Sequence, residues 1–124
     1  MKDPAPARLV MIVDDDAVVL DVLERLLLRW GYRTAAFLRF EDARAALEKA
    51  VPDALVVDVR LGEHNGLQLV HVARQSHPQM VIVVVSGFDD PVLRREALLV
   101  GAPYLLKPQE LPNLRTYLPA PNAH

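Results

Sequence analysis

The fold is decided by the stretch MVIVVVSG at residues 80–87, which is the most apolar run in the chain. Its first six residues are rich in branched side chains and do not alternate with polar residues, which predicts a strand covered on both faces. Residues 54–58, ALVVD, have the same character and end in an acid. Strands covered on both faces are typical of a parallel sheet with helices packed on each side.

The rest of the chain alternates short apolar strands with amphipathic helices. Further strands are predicted at residues 9–13, 33–37 and 103–106. Apolar side chains at three- and four-residue spacings predict helices at residues 17–30, 40–50, 67–75, 91–100 and 111–118. Because proline is tolerated only in a first helical turn, Pro112 predicts a short or irregular last helix. The fold class is therefore α/β, with a doubly wound, five-stranded parallel sheet.

Length and composition exclude several classes of protein. The 124 residues suit one domain at residues 8–118, with proline-containing tails at 1–7 and 119–124. The chain has no cysteine, which excludes disulfides, thiolate catalysis and cysteine-rich zinc sites. A formal net charge of −2 without a dense basic run argues against direct contact with nucleic acid. No apolar stretch approaches the roughly 18 residues that span a membrane, and no signal peptide is evident, so we expect a cytoplasmic protein without a membrane partner.

Polar residues follow four of the five predicted strands. Asp14, Asp15 and Asp16 come after the first strand, and Asp58 ends the third. Ser86 follows the fourth strand and Lys107 the fifth. Because parallel strands bring their carboxyl ends to one edge of a sheet, where ligands of such folds bind, these side chains are expected to meet in one pocket.

The residue types in this pocket restrict its chemistry. Neighbouring carboxylates raise one another's pKa unless a cation neutralises them, and oxygen ligands suit a hard ion such as Mg²⁺. A carboxylate can also attack phosphorus and form an aspartyl phosphate. Phosphoryl transfer depends on positioning and on charge neutralisation, which Lys107, Ser86 and a metal ion could supply. The pattern indicates a site that accepts a phosphoryl group.

Four segments, in this order along the chain, resemble the motifs of response-regulator receiver domains. They are IVDDD at residues 12–16, LVVDVRL at 55–61 with Gly66 following, VVSG at 84–87, and GAPYLLKP at 101–108. The similarity covers residues 8–118 and implies a flavodoxin-like topology. Each motif alone is weak, but four in order are specific to the family.

The resemblance implies a role for each of these residues. Asp58 would be the phosphoacceptor, assisted by Lys107 and by Ser86, the switch hydroxyl. Tyr104 would be an aromatic whose rotamer follows the switch, and a cis peptide would precede Pro108. The metal, Mg²⁺ or Mn²⁺, would be held by Asp14, Asp15, Asp58 and the backbone carbonyl of Arg60.

The resemblance also implies partners and a way of working. The phosphoryl donor would be a histidine kinase or a histidine phosphotransfer protein of a two-component system or phosphorelay. Phosphorylation would switch the conformation and thereby control a downstream protein, and a homodimer is one state in which the switch could act. The domain would be no enzyme beyond catalysing its own phosphorylation and dephosphorylation.

The sequence departs from the family pattern at three places. Gly62 stands where the family often has proline, so the loop after Asp58 is expected to be looser. Asn65 replaces a frequent aspartate and should have little effect on the chemistry. The short last helix leaves the role of the neighbouring surface open.

Plainer interpretations of single residues stay open at this point. Acids at a helix start often serve as caps, which is the interpretation we favour for Asp16. Tyr104 could be an ordinary strand aromatic, and the four histidines do not form a convincing metal set. Arg60 and Phe88, each two residues past a site residue, are expected to influence the lifetime of an acyl phosphate, in a direction that the sequence does not give.

Two other functions are compatible with parts of the pattern. One is a phosphatase of the haloacid-dehalogenase type, which would need a second aspartate where this chain has Arg60. The other is an interaction module on the same fold that has lost the phosphoryl chemistry. The chain could also be a stand-alone regulator or part of a longer regulator or hybrid kinase.

Overall fold

The computed structural model describes residues 6–122 and contains a central five-stranded sheet. Every neighbouring pair of strands in this sheet is parallel. The spatial order is β2-β1-β3-β4-β5, in which the chain reverses its direction of winding after β2. The strands are β1 (Leu9–Val13), β2 (Arg33–Phe37), β3 (Ala54–Asp58), β4 (Val81–Ser86) and β5 (Tyr104–Leu106). The predicted fold class, a doubly wound parallel sheet, is confirmed.

Five helices cover the two faces of the sheet. They are α1 (Ala17–Arg29), α2 (Phe40–Lys49), α3 (Gly66–Ser76), α4 (Pro91–Leu99) and α5 (Leu114–Tyr117). On one face α1 and α5 pack against side chains such as Val83 and Val85. On the other face α2, α3 and α4 pack against Ile82 and Val84. This two-sided burial explains why β4 contains no polar residue before Ser86.

The last helix is shorter than the predicted range of residues 111–118. A 3₁₀ turn, Leu111–Asn113, comes first, and α5 adds only four residues. Pro112 has no N–H to donate, which suits the start of a helix and does not suit its interior. Leu111, Leu114 and Leu118 are nevertheless buried, so the short segment still covers its side of the sheet.

The end of the described chain runs back along the opposite edge of the sheet from Asp58. The hydroxyl of Tyr32 donates a hydrogen bond to the Pro119 carbonyl oxygen at 2.5 Å. The backbone N–H of Arg8 donates to the Pro121 carbonyl oxygen at 2.7 Å. Residues 1–5 and 123–124, parts of the expected tails, lie outside the described residues. Within residues 6–122, no helix has both the length and the apolar character needed to cross a membrane.

Candidate functional site

Three carboxylates meet at the carboxyl edge of the sheet. Asp14 and Asp15 directly follow β1, and Asp58 is the last residue of the adjacent strand β3. One oxygen atom from each carboxylate lies within 4.8 Å of the other two. Asp14 is completely buried and Asp58 is 5% exposed, whereas Asp15 faces solvent. The structure therefore brings together the three acids that the sequence placed in one pocket.

Asp16, the third acid of the triplet, serves a different purpose. Its side chain accepts hydrogen bonds from the backbone N–H groups of Val18, at 2.9 Å, and Val19, at 3.4 Å. It is the N-cap of α1, as the plainer interpretation proposed. This cap fixes the start of α1 directly beside Asp15.

Lys107 supplies the positive charge of the site. Its Nζ lies 2.9 Å from Asp14 Oδ2 and 3.4 Å from Asp58 Oδ1, and its side chain is only 14% exposed. Burial on its own would lower the pKa of the Lys107 ammonium, but the hydrogen bonds and charges of Asp14 and Asp58 together outweigh burial and raise it. The residue after Lys107 is Pro108, and the peptide bond between them is cis, as the resemblance implied.

The single ammonium does not neutralise the carboxylates. Burial and then the charge of Asp14 raise the pKa of Asp58 to about 6, against the opposing influence of Lys107 and of the Arg60 backbone N–H. An ordinary aspartate has a pKa near 3.8. The ionised form of Asp58 is thus held in an unfavourable environment, which a second cation at the site would relieve.

The donor set suits a hard divalent cation. Every candidate side-chain ligand in the site is a carboxylate oxygen, and such ligands favour Mg²⁺, Mn²⁺ or Ca²⁺ over softer metals. The backbone N–H of Gly62 donates to Asp15 Oδ2 at 3.0 Å, which leaves the second oxygen of Asp15 for a metal ion. The acidic pocket can therefore hold a metal ion.

Ser86 and Tyr104 meet at the backbone of Phe88. Ser86 ends the strand beside Asp58, is buried, and accepts a hydrogen bond from the Phe88 N–H at 3.1 Å. The Tyr104 hydroxyl donates to the Phe88 carbonyl oxygen at 2.7 Å, and the residue is 6% exposed. One residue of the β4–α4 loop thus connects the serine to the tyrosine.

Arg60 and Phe88 contact each other across two loops. The Arg60 guanidinium carbon lies 4.6 Å from the centre of the Phe88 ring. Both residues are exposed, and each lies two positions past a site residue. The two residues that are expected to influence the lifetime of an acyl phosphate therefore contact each other. Their separation along the sequence gave no sign of this contact.

Gly66 allows the loop after β3 to close over Asp58. A Cβ atom at this position would lie 1.9 Å from the Asp58 carbonyl oxygen, a distance that no side chain can tolerate. The Gly66 N–H donates to the Val59 carbonyl oxygen at 2.6 Å. This close approach gives a physical reason for a glycine eight residues after Asp58.

The loop between Asp58 and Gly66 is more regular than the sequence indicated. Arg60–Leu61 pairs with His64–Asn65 as a short antiparallel hairpin. Gly62, with φ of 62°, makes the turn, and its positive φ is readily available only to glycine. Gly62 therefore makes a paired turn in this loop, and the expectation of a looser loop stays a prediction.

Sequence reasoning also missed the contacts of His64. Its ring stacks on Phe40 with the ring centres 4.4 Å apart and the planes inclined by 12°. Its Nε2 lies 2.9 Å from Glu41 Oε1. Phe40 and Glu41 are more than 20 residues away in the chain, so no local pattern could have signalled the contact.

The comparisons with known proteins agree with this geometry. The family model for the response regulator receiver domain matches residues 10–119. The transcriptional regulatory protein ZraR of Salmonella typhimurium is 32% identical over 93% of this chain, which spans 26% of that protein's length. Most of the length of such curated relatives thus lies outside the matched region.

Two solved structures are similar in fold and sequence. A CheY-like response regulator receiver domain protein from Methanospirillum hungatei JF-1 has a TM-score of 0.82 at 25% identity, with 89% of each chain covered. A response regulator from Burkholderia pseudomallei, described with a phosphorylated aspartic acid, calcium ion and citrate, has a TM-score of 0.82 at 26% identity, over 90% of this chain and 66% of the other. The chain belongs to the response-regulator receiver-domain family.

Proposed function

We propose that Asp58 accepts a phosphoryl group and that the resulting aspartyl phosphate is the signal of this receiver domain. The observation that carries the proposal is the contact of Lys107 with both Asp14 and Asp58 within a cluster of three carboxylates. A structural ion pair needs one buried acid, whereas here the ammonium contacts two buried acids and a third carboxylate lies beside them, which is costly. The arrangement becomes favourable when a metal ion and a phosphoryl group complete it.

The proposed step is a phosphoryl transfer to oxygen. A carboxylate oxygen of Asp58 forms a bond to phosphorus while the bond from phosphorus to the donor nitrogen breaks, and the leaving nitrogen takes a proton. Lys107 is close enough to Asp58 to pair with an oxygen of the transferred group. Asp14, Asp15, Asp58 and the Arg60 carbonyl would hold Mg²⁺, which would neutralise charge on the phosphoryl oxygens.

The switch is proposed to pass through Ser86. In the proposed switch the Ser86 side chain turns toward a phosphoryl oxygen on Asp58, and this rotation takes its oxygen away from the Phe88 N–H that now donates to it. Phe88 would then move together with the carbonyl oxygen that now holds Tyr104. The phosphoryl group would thereby shift the β4–α4 loop between two arrangements, which a partner protein reads.

The partners follow from this proposal. The donor would be a histidine kinase or a histidine phosphotransfer protein in the cytoplasm, and the reader a downstream protein or a second copy of the domain. The chain itself would turn over no other substrate. Arg60 argues against a phosphatase, because it occupies the position of the required second acid and cannot donate a proton usefully.

Mass spectrometry of the intact chain tests the proposal. Incubation with phosphoramidate and Mg²⁺ should add one phosphoryl group, and Asp58→Asn should abolish the addition. Asp42→Asn, which changes an exposed aspartate on α2, should be labelled like the unmodified chain. Labelling that persists in Asp58→Asn, or steady turnover of a simple phosphate ester, would contradict the proposal.

A further inference from the structure

The loop that follows β3 contacts α2 through the side chain of His64. His64 lies on the second strand of the short hairpin and contacts Phe40 and Glu41, the first two residues of α2. Phe40 is buried in the core, so its ring provides a fixed surface for the stack. Near-parallel aromatic rings at this distance attract each other, and the hydrogen bond to Glu41 fixes how the imidazole is turned.

The same hairpin carries one group that contacts the acidic pocket and one that belongs to the proposed metal shell. The N–H of Gly62 at the turn donates to Asp15 Oδ2. Arg60, whose carbonyl oxygen belongs to the proposed metal shell, is paired with Asn65 in the register that also pairs Leu61 with His64. Because these residues form one paired unit, a contact that fixes His64 also restricts Gly62 and Arg60.

We propose that His64 is a positioning residue that clamps the hairpin to α2 and thereby prepares Asp15 and the Arg60 carbonyl for a divalent cation. His64 itself does not touch the cation. If the loop were free, only a fraction of molecules would present the complete shell, and the apparent affinity for the cation would fall in proportion to that fraction.

The inference rests on the proposed function only through its metal, and the clamp can be tested without any metal present. In metal-free protein, amide hydrogen exchange at Gly62, followed by NMR, reports directly on the hairpin. We expect His64→Ala to speed exchange at Gly62 by at least about fivefold, whereas amides in β3 and β4 keep their rates. His71→Ala changes an exposed histidine on α3 and is the matched control, with no effect at Gly62.

A titration with Mg²⁺ alone, followed by calorimetry, measures the effect on the cation. We expect His64→Ala to weaken binding by roughly threefold to tenfold, and His64→Phe, which keeps an aromatic ring for the stack, to weaken it less. Urea midpoints measured on the same variants separate positioning from general stability, because a merely structural residue would shift the midpoint and leave the Mg²⁺ affinity unchanged.

The possible results decide the two proposals separately. Gly62 exchange that is equal in His64→Ala and His71→Ala would overturn the clamp, and so would a Mg²⁺ affinity in His64→Ala that matches the control. If the unmodified chain bound no Mg²⁺, the proposed metal site would fail, while faster exchange at Gly62 in His64→Ala would still support the clamp on the hairpin.

Discussion

Replacing the phosphoacceptor candidate by its neutral isostere should stabilise the metal-free protein. In Asp58→Asn the buried carboxylate becomes an amide of nearly the same shape. The pKa of Asp58 is raised from about 3.8 in an ordinary aspartate to about 6 in the fold. One pKa unit corresponds to about 1.4 kcal/mol, so the ionised carboxylate costs the folded state about 3 kcal/mol.

The influence of Lys107 is already contained in this pKa. The net gain should still be smaller than this cost, because the amide that replaces the carboxyl group carries an NH₂ group that needs an acceptor of its own. The hydrogen bond of Lys107 to Asp14 remains. We expect Asp58→Asn to raise the free energy of unfolding by about 2 kcal/mol at pH 7 without metal.

A raised carboxyl pKa means that the folded state binds the proton more tightly than the unfolded state. The contribution of Asp58 to stability therefore falls as the pH rises from about 4 to about 6, and its full cost is present above that window.

Urea unfolding in the presence of a chelator measures this difference, with the fluorescence of Trp30, the only tryptophan, as the signal. At pH 4 Asp58 is protonated in the folded chain, and the advantage of Asp58→Asn should nearly vanish. The exposed control Asp42→Asn should stay within about 0.5 kcal/mol of the unmodified chain at both pH values. If Asp58→Asn were no more stable than the unmodified chain at pH 7, the interpretation that the ionised Asp58 carboxylate destabilises the metal-free fold would be refuted.

Three further substitutions test other parts of the site. Gly66→Ala should lower the free energy of unfolding by more than about 3 kcal/mol, because its Cβ would collide with the backbone of Asp58. Gly87→Ala is the control, since no atom lies within 4 Å of the added carbon, and it should change the free energy of unfolding by less than about 1 kcal/mol. Comparable urea midpoints for the two variants would contradict the close approach. Lys107→Met leaves the buried carboxylate of Asp14 without its cation and should lower the free energy of unfolding of the metal-free protein by about 3 kcal/mol. The same variant should be labelled by phosphoramidate at least about tenfold more slowly. Unchanged labelling would show that Lys107 takes no part in the chemistry. Ser86→Ala should still be labelled by phosphoramidate, but its NMR spectrum should lack the changes in amide chemical shift that phosphorylation causes in the β4–α4 loop. Changes of full size in this variant would exclude Ser86 as the switch.

The parts of the fold and site that were predictable depend on residues near one another in the chain. Unbroken apolar runs identified β3 and β4, and the period of α1 followed from its leucines and valines. Asp14 and Asp58 could be placed together because parallel strands have only one carboxyl edge. These inferences required only the direction of the strands and the burial of their faces, and both follow from the sequence pattern.

The parts that were missed depend on contacts between distant segments. The stack of His64 on Phe40 and the contact of Arg60 with Phe88 join loops that no periodicity relates. The hairpin at Gly62 could have been suspected, since glycine often marks a turn of positive φ. The close approach of Gly66 to the Asp58 carbonyl oxygen, by contrast, can be read only from coordinates.

The most direct test of the central claim is to locate the phosphoryl group on the chain. After reaction with phosphoramidate and Mg²⁺, borohydride reduces an aspartyl phosphate to homoserine, and peptide mass spectrometry identifies the position. We predict homoserine at position 58 and at no other aspartate. Homoserine at position 14 or 15, or a phosphoryl group found only on a histidine, would contradict it.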